Sequence, residues 1–429
     1  MKTEKIDFKS IGGPEVIVHP GAIDDLARIL SDRGVKSVFI FADKNTYKAA
    51  GEKVIKVLED GTIKTKKYIF NSEKIEPNES FVGLAAMSFD PSVDAVVGVG
   101  SGVINDISKI ISNISGKKYI VVATAPSMDG YASATSSMSV DGLKISLPSK
   151  CADIIVGDTE ILRNAPMKMI ISGLGDMLAK YVAICEWRIS NLINGEAVSE
   201  EVAAMVRDSL KKCVDNSDGL LKREAEATEA VFEGLVLCGL AMKLAGTSRP
   251  ASGVEHYLSH VWDMRGEEFD IPVELHGLQC AVGTSIAAGL YEKIKLATPD
   301  REKAIRYAES FDYKKWAEEL RTFLGRGAEA MITLEEKEKK YDVKKHALRL
   351  EAIIEKWDEI LGVINEEIPP IDTLDELYDK VGLPKTIGEL GMDKSILPMT
   401  FKATKDIRDK YVLSRLCFDL GIINEINFE

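Results

Sequence analysis

The chain has 429 residues, 45% of them hydrophobic and 29% charged, which excludes a wholly disordered polymer. At about 150 residues per domain, the length predicts two to three domains with enough apolar surface for a core that needs no staples. Fifty-five Lys and Arg stand against 68 Asp and Glu, and the net charge of −13 excludes general nucleic-acid binding. A local basic pocket for a small anion is still allowed.

The opening MKTEKIDFKSIGG lacks the apolar core of a signal peptide, and no run approaches the roughly 18 apolar residues that a membrane helix needs. Cys151, Cys185, Cys213, Cys238, Cys280 and Cys417 are scattered without a C-x-x-C pair. They read as reduced, mostly buried thiols. The expectation is a cytoplasmic enzyme that neither binds nucleic acid nor inserts into a membrane.

Up to about Thr159, short β-rich runs alternate with amphipathic stretches. Ser37–Asp43, Lys66–Phe70, Val93–Gly100 and Tyr119–Ala125 are apolar runs of the length that suits strands buried on both faces of a parallel sheet. AIDDLARILSDRG and NDISKIISNISG between them predict helices that end at Gly34 and Gly116. This alternation predicts an open α/β sheet. From about Pro166 long helical periodicities take over, so the chain is expected to divide into an α/β domain, residues 1–163, and an all-helical domain, residues 164–429. Within the second part, Leu334 to Ile364 is densely charged, with Val343, Ala347, Leu350, Ile353 and Ile354 as an apolar stripe; it reads as a solvated surface helix. Ligands are expected between the two parts.

VDAVVGVGSGVIND runs from strand through glycines into a helix. Gly98, Gly100 and Gly102 permit close backbone approach, and the helix N-terminus offers N–H groups to a phosphate. The spacing is G-x-G-x-G, with Val103 where a standard dinucleotide loop has its third glycine, and an ordinary strand–helix turn explains it equally well. Asp106 in the first helical turn also suits the helix dipole. Asp43, at a strand end, is the residue type that binds an adenosine ribose and equally a routine N-cap.

Three of the five histidines, His256, His260 and His276, fall within SRPASGVEHYLSHVWDM and ELHGLQCAVG. His256 and His260 share a helical face, and two histidines with a carboxylate make a three-ligand site with an open position. Hydrogen-bonded core histidines are the plain alternative. Asp176 in SGLGDMLAKY is the candidate carboxylate, although a surface pair with Lys180 explains its spacing as well. After the strand YIVVATA come Thr124, Ser127, Asp129, Ser133 and Thr135, at the sheet end where α/β folds bind ligands. A serine-rich turn is the competing explanation.

Taken in order, GVGSGVIND, TAPSMDGYAS, SGLGDMLAKY, GTSRPASGVEHYLSH and ELHGLQCAVGT resemble the metal-dependent polyol dehydrogenases, relatives of the iron-containing alcohol dehydrogenases, and in particular their bacterial sn-glycerol-1-phosphate dehydrogenases. The resemblance covers residues 1 to about 300 well and the tail loosely. It implies a Rossmann-like dinucleotide domain followed by a helical domain, with Asp176, His256 and His276 as metal ligands. Onto the cofactor side it places Asp43, the loop Gly98 to Asp106 (with Ser101 and Asn105), Thr124, Ser127 and Ser133. Asp129 and His260 fall beside the substrate as catalytic candidates. Iron alcohol dehydrogenases carry a further histidine where this chain has Lys180, which favours a three-ligand site holding nickel or zinc rather than iron. The implied activity is reduction of dihydroxyacetone phosphate to glycerol 1-phosphate, with NAD(H) preferred and NADP(H) allowed, in phospholipid metabolism. A homo-oligomer acting on a small phosphorylated ketone or polyol is expected. Arg249, or else Lys144, is assigned to the substrate phosphate. A lyase resembling dehydroquinate synthase and a non-catalytic sugar-phosphate-binding protein are the competing readings.

Overall fold

The computed structural model describes residues 7–72, 74–141 and 143–428; residues 1–6, which open the segment compared with a signal peptide, lie outside them. Two compact units form. The first holds residues 1–140, 144–177 and 208–246, and the second holds 141–143, 178–207 and 247–429. The sheet-bearing unit therefore takes in helical stretches from beyond residue 163, where the texture of the sequence changes.

The first unit is built on a six-stranded sheet. Its strands are β1 (Glu15–His19), β2 (Ser37–Asp43), β3 (Lys64–Phe70), β4 (Ala95–Gly100), β5 (Lys118–Ala123) and β8 (Ile154–Asp158). They lie in the order β1-β8-β5-β4-β2-β3, and every neighbouring pair is parallel. β4 is buried at every residue, which is why AVVGVG reads as an unbroken apolar run. β3 departs from expectation. It is an edge strand with exposed Lys64, Lys66 and Lys67, and charges along an edge discourage pairing with another chain. Between β5 and β8 a separate two-stranded sheet forms from β6 (Thr135–Val140) and β7 (Leu143–Pro148).

Helices α1 (Leu26–Asp32) and α2 (Glu52–Asp60) bury Leu26, Ile29, Leu30, Val54 and Leu58 in one cluster with Val38, Ile40, Val97, Val122 and Val156 of the sheet. α3 (Gly102–Ser115) follows β4 and stops at Gly116 (φ 66°), and Gly34 (φ 72°) lies just past α1, so both predicted stops use the left-handed conformation. α4 (Met167–Leu178) and α6 (Ala225–Ala245) complete the parts needed below, with α5 (Lys180–Asn194) between them in the chain and belonging to the second unit.

The second unit is helical among its described residues. α7 (Val254–Phe269) and α8 (His276–Lys295) make its most extensive helix pairing among the described residues. Gly283 on α8 explains how close. A Cβ there would lie 2.7 Å from the Glu255 carbonyl oxygen and 2.9 Å from its Cα, so only glycine lets the two backbones meet at that point. The charged stretch from Leu334 is three helices rather than one: Gly327–Glu338, Val343–Glu355 and Trp357–Glu367. Its middle helix is not solvated all round. It buries His346, Leu350 and Ile353, while Val343 of the expected stripe is 43% exposed. No helix among the described residues is long and apolar enough to cross a membrane.

Candidate metal and nucleotide sites

In the second unit, α7 and α8 bring His256, His276 and Cys280 together, each offering one ligand atom within 4.8 Å of the others. The two imidazole rings stand 5.1 Å apart, centroid to centroid. His276 and Cys280 are one helical turn apart, and the sulfur lies 3.5 Å from Nε2 of His276. Burial pushes the Cys280 thiol up, but the two neighbouring imidazoles outweigh that effect and leave it below its ordinary value.

Each histidine is held by a partner on its other nitrogen. Nδ1 of His256 lies 2.8 Å from Oε1 of Glu255, which also accepts the Gly253 N–H at 2.7 Å. A carboxylate oxygen only accepts, so Nδ1 carries the proton and Nε2 keeps its lone pair. Nδ1 of His276 lies 3.0 Å from the buried Ser259 hydroxyl. This is the outer-sphere arrangement that fixes the ring plane of a metal-binding histidine. Glu255 is fully buried, as is its neighbour Glu186, whose two oxygens accept from the N–H groups of Val254 and Leu413. Burial first, and then the charge of Glu255, raises the Glu186 carboxyl well above its ordinary range. The sequence reading missed Glu255, Ser259 and Cys280. The spacing of Cys280 from His276 was a usable signal; the role of Ser259 becomes visible only once α7 and α8 are paired.

His260, 7% exposed, keeps its ring 6.1 Å from that of His276, beside the pair. In the first unit Asp176 is fully buried near the end of α4 and accepts the Asp129 N–H at 2.9 Å. Lys180 is also fully buried, with its ammonium on the Ala251 carbonyl at 3.1 Å. That removes the surface-pair explanation for the Asp176–Lys180 spacing.

On the nucleotide side, the three glycines of the turn have different reasons. A Cβ on Gly98 would come within 2.8 Å of the Tyr119 hydroxyl and 2.9 Å of Ser108 Oγ, and one on Gly100 within 2.6 Å of Ile104 Cβ. Both are demanded by the unit's own packing. Gly102 meets only the flexible Met128 side chain, at 3.4 Å. The cap residue Ser101 makes no side-chain bond to the start of α3, because its hydroxyl pairs with that of Ser127. The start of a 14-residue helix thus receives no bond from its own cap side chain, beside a glycine that no rigid neighbour crowds. These features fit the phosphates of a dinucleotide.

Several residues assigned to the cofactor are engaged within the unit. Asn105 is fully buried, accepts from the Tyr119 hydroxyl at 2.9 Å and donates to the Gly130 carbonyl at 3.1 Å. Asp106 pairs with buried Lys109 at 3.1 Å, and burial raises its carboxyl against the pull of Lys109 and Lys144. Ser133 closes a turn with Thr135, whose hydroxyl lies 3.0 Å away. Asp43 caps the helix after β2, its Oδ1 accepting from Asn45 and Thr46 at 2.7 and 2.9 Å. Thr124 and Ser127, 6% and 7% exposed, sit just past β5 as expected.

Arg249 requires a correction. It is 2% exposed, with Nε and Nη2 on the Glu196 carboxylate at 2.8 and 2.6 Å, Nη2 also on Ser190, and Nη1 on the Tyr411 carbonyl. Four of its five N–H donors are taken by the protein, so it is a buried ion pair that ties the Ser248–Gly253 segment to α5, which argues against its assignment to the substrate phosphate.

Residues 17–166 match the family model for iron-containing alcohol dehydrogenases. Among solved structures, a probable glycerol dehydrogenase from Sinorhizobium meliloti 1021 superposes with a TM-score of 0.60 at 17% identity, over 96% of this chain and 98% of that one. A 1,3-propanediol oxidoreductase superposes at 0.64 and 14% identity, over 96% and 98%. These establish a shared fold, that of the iron-containing alcohol dehydrogenases. The glycerol-1-phosphate dehydrogenase (NAD(P)+) of Halalkalibacterium halodurans is 32% identical over 274 residues, 63% of this chain and 69% of the relative. That of Methanothermobacter thermautotrophicus is 31% identical over 281 residues, 65% and 78%. The chain belongs to this family, the glycerol-1-phosphate dehydrogenase branch of the iron-containing alcohol dehydrogenases, and is an oxidoreductase.

Proposed function

We propose that the protein catalyses the reversible, metal-dependent and NAD(P)H-linked reduction of dihydroxyacetone phosphate to sn-glycerol 1-phosphate. The observation that carries this reading is the buried His256–His276 pair. The Nδ1 atoms of the two rings lie on Glu255 and Ser259, and the Cys280 sulfur lies 3.5 Å from Nε2 of His276, in a chain whose relatives bear that activity in their names. Asp176 is the third protein ligand. Nitrogen and carboxylate donors of this kind suit nickel or zinc, and Lys180 in place of a further histidine disfavours iron. When bound, the cation supplies a Lewis acid for the ketone oxygen and the nicotinamide supplies the hydride.

The remaining work falls to the chain. Glu255 holds His256 in the tautomer protonated at Nδ1, and Ser259 orients the His276 ring. The start of α3 at Gly102 receives the cofactor phosphates, with Ser101, Thr124 and Ser127 along it. Asp43 faces the ribose, and its charge disfavours a 2′-phosphate, so NAD(H) is preferred and NADP(H) is accepted. Asp129 lies beside the substrate and His260 relays the proton to the product oxygen. With Arg249 committed to Glu196, Lys144 is the remaining candidate for the substrate phosphate.

The test is to strip the protein with chelator, restore one cation at a time, and follow reduced nicotinamide with dihydroxyacetone phosphate, dihydroxyacetone and simple ketones. Oxidation only with the phosphorylated ketone and only after nickel or zinc is restored is the expected result. Undiminished turnover after chelation, or equal rates with dihydroxyacetone, would remove the reading.

A further inference from the structure

We propose that Cys280 Sγ is itself a ligand of the cation in the substrate-free enzyme, so that the second unit contributes a nitrogen–nitrogen–sulfur donor set instead of two histidines alone. This rests on the metal reading above. Three observations support it. Cys280 is fully buried, and its sulfur, Nε2 of His276 and a ring nitrogen of His256 all fall within the span of one coordination sphere. Cys280 and His276 are one turn apart on α8, which begins at His276, so a single helix carries both donors on one face. The surroundings of the sulfur also differ from those of two other cysteines. The half-buried thiol of Cys151 and the buried thiol of Cys213 point at main-chain oxygens of Ala132 and Ala230, whereas the Cys280 sulfur faces the imidazoles of both His256 and His276.

The chemical consequence follows from charge and softness. A thiolate beside the Asp176 carboxylate would bring the ligand charge to minus two, which neutralises a divalent cation and discriminates for zinc over harder ions. It would also add a sulfur donor to the nitrogen and carboxylate donors that would hold the cation. Binding releases the thiol proton to solvent, and no other bond changes.

The test uses the whole chain loaded with cobalt(II). Visible ligand-field bands report any tetrahedral cobalt, whereas an intense near-ultraviolet band reports sulfur-to-cobalt charge transfer. The expected result is both features in the wild type, with the near-ultraviolet band lost and the visible bands kept in Cys280→Ser. An identical near-ultraviolet spectrum in the two proteins would overturn the cysteine proposal and leave the metal reading standing. Absence of visible bands from the wild type would overturn both. Should Cys280→Ser fail to fold, the cadmium-113 resonance of the wild-type protein decides the same point. A shift diagnostic of one sulfur donor supports the proposal, and one typical of nitrogen and oxygen alone overturns it.

Discussion

The glycine turn of the first unit and the histidine pair of the second are equally conspicuous in the sequence, yet they use their polar groups differently. Around the turn, most of what is offered to a cofactor is taken by neighbours: Asn105 by Tyr119, Asp106 by Lys109, and Ser133 by Thr135. What the turn leaves for a ligand is mainly backbone, at Ser101 and Gly102. The histidines are the reverse case. Their Nδ1 atoms are taken by Glu255 and Ser259, and Nε2 of His276 faces the Cys280 sulfur at 3.5 Å. A nucleotide site of this kind can be built from main-chain N–H groups that any sequence possesses. A metal site needs particular side chains, each with a second residue behind it.

The sharpest way to break this contrast is to remove a metal ligand. His276→Ala should lower kcat by about 10³-fold or more, the order expected for losing Lewis-acid stabilisation worth several kcal/mol. Bound metal should fall with it, while NADH binding, followed by tryptophan fluorescence, stays near the wild-type level. Retained rate and metal would mean that the pair is structural.

Arg249→Ala should cost about 3 kcal/mol of stability in chemical unfolding, because it leaves Glu196 and the Tyr411 carbonyl without their partner. Glu196 is partly exposed, which keeps the figure at the low end. The KM for dihydroxyacetone phosphate should not change. A raised KM at unchanged stability would restore the arginine to the substrate.

The glycine turn can be divided by two alanines. Gly98→Ala drives a methyl group against Tyr119 and Ser108 and should cost about 1–3 kcal/mol of stability. Gly102→Ala should leave stability within roughly 1 kcal/mol, as a helix-start glycine replaced by alanine. Its effect should appear instead as about tenfold weaker NADH binding in a fluorescence titration. Equal losses of stability would show that the whole turn is structural.

The smallest expected effect is on pH dependence. The folded protein holds Glu186 at about 8, above its ordinary 4.5, through burial and the charge of Glu255. The folded state therefore keeps a proton that the unfolded chain releases. Stability from this group is full below pH 4.5 and is lost as pH rises towards 8, with a slope of up to about 1.4 kcal/mol per pH unit. Urea midpoints between pH 5 and 8 should show the decline in the wild type and a flatter profile in Glu186→Gln.

Much of the fold was legible because its central strands are buried on both faces. β2 is found at its predicted limits, and β4 and β5 within two residues. β1 and β8 were missed. Each is five residues long; β8 is placed by pairing with both β1 and β5, and β1 is an edge strand that pairs with β8 alone. β6 was hidden by serines that read as turn chemistry, and β7 was not read as a strand. In the site, residue types with few alternatives, such as clustered histidines, could be read directly. The fate of Arg249 could not, because its partners Glu196 and Tyr411 lie 53 and 162 residues away.

Gly283 gives the histidine pair a mechanical basis. Since α7 and α8 touch backbone to backbone there, the separation of the two histidine rings follows from a crossing of two rods. A site with such a stiff jaw has its bite set before any ion arrives. Altering its preference should then require exchanging donors, since small shifts of the surrounding chain have little leverage on the gap.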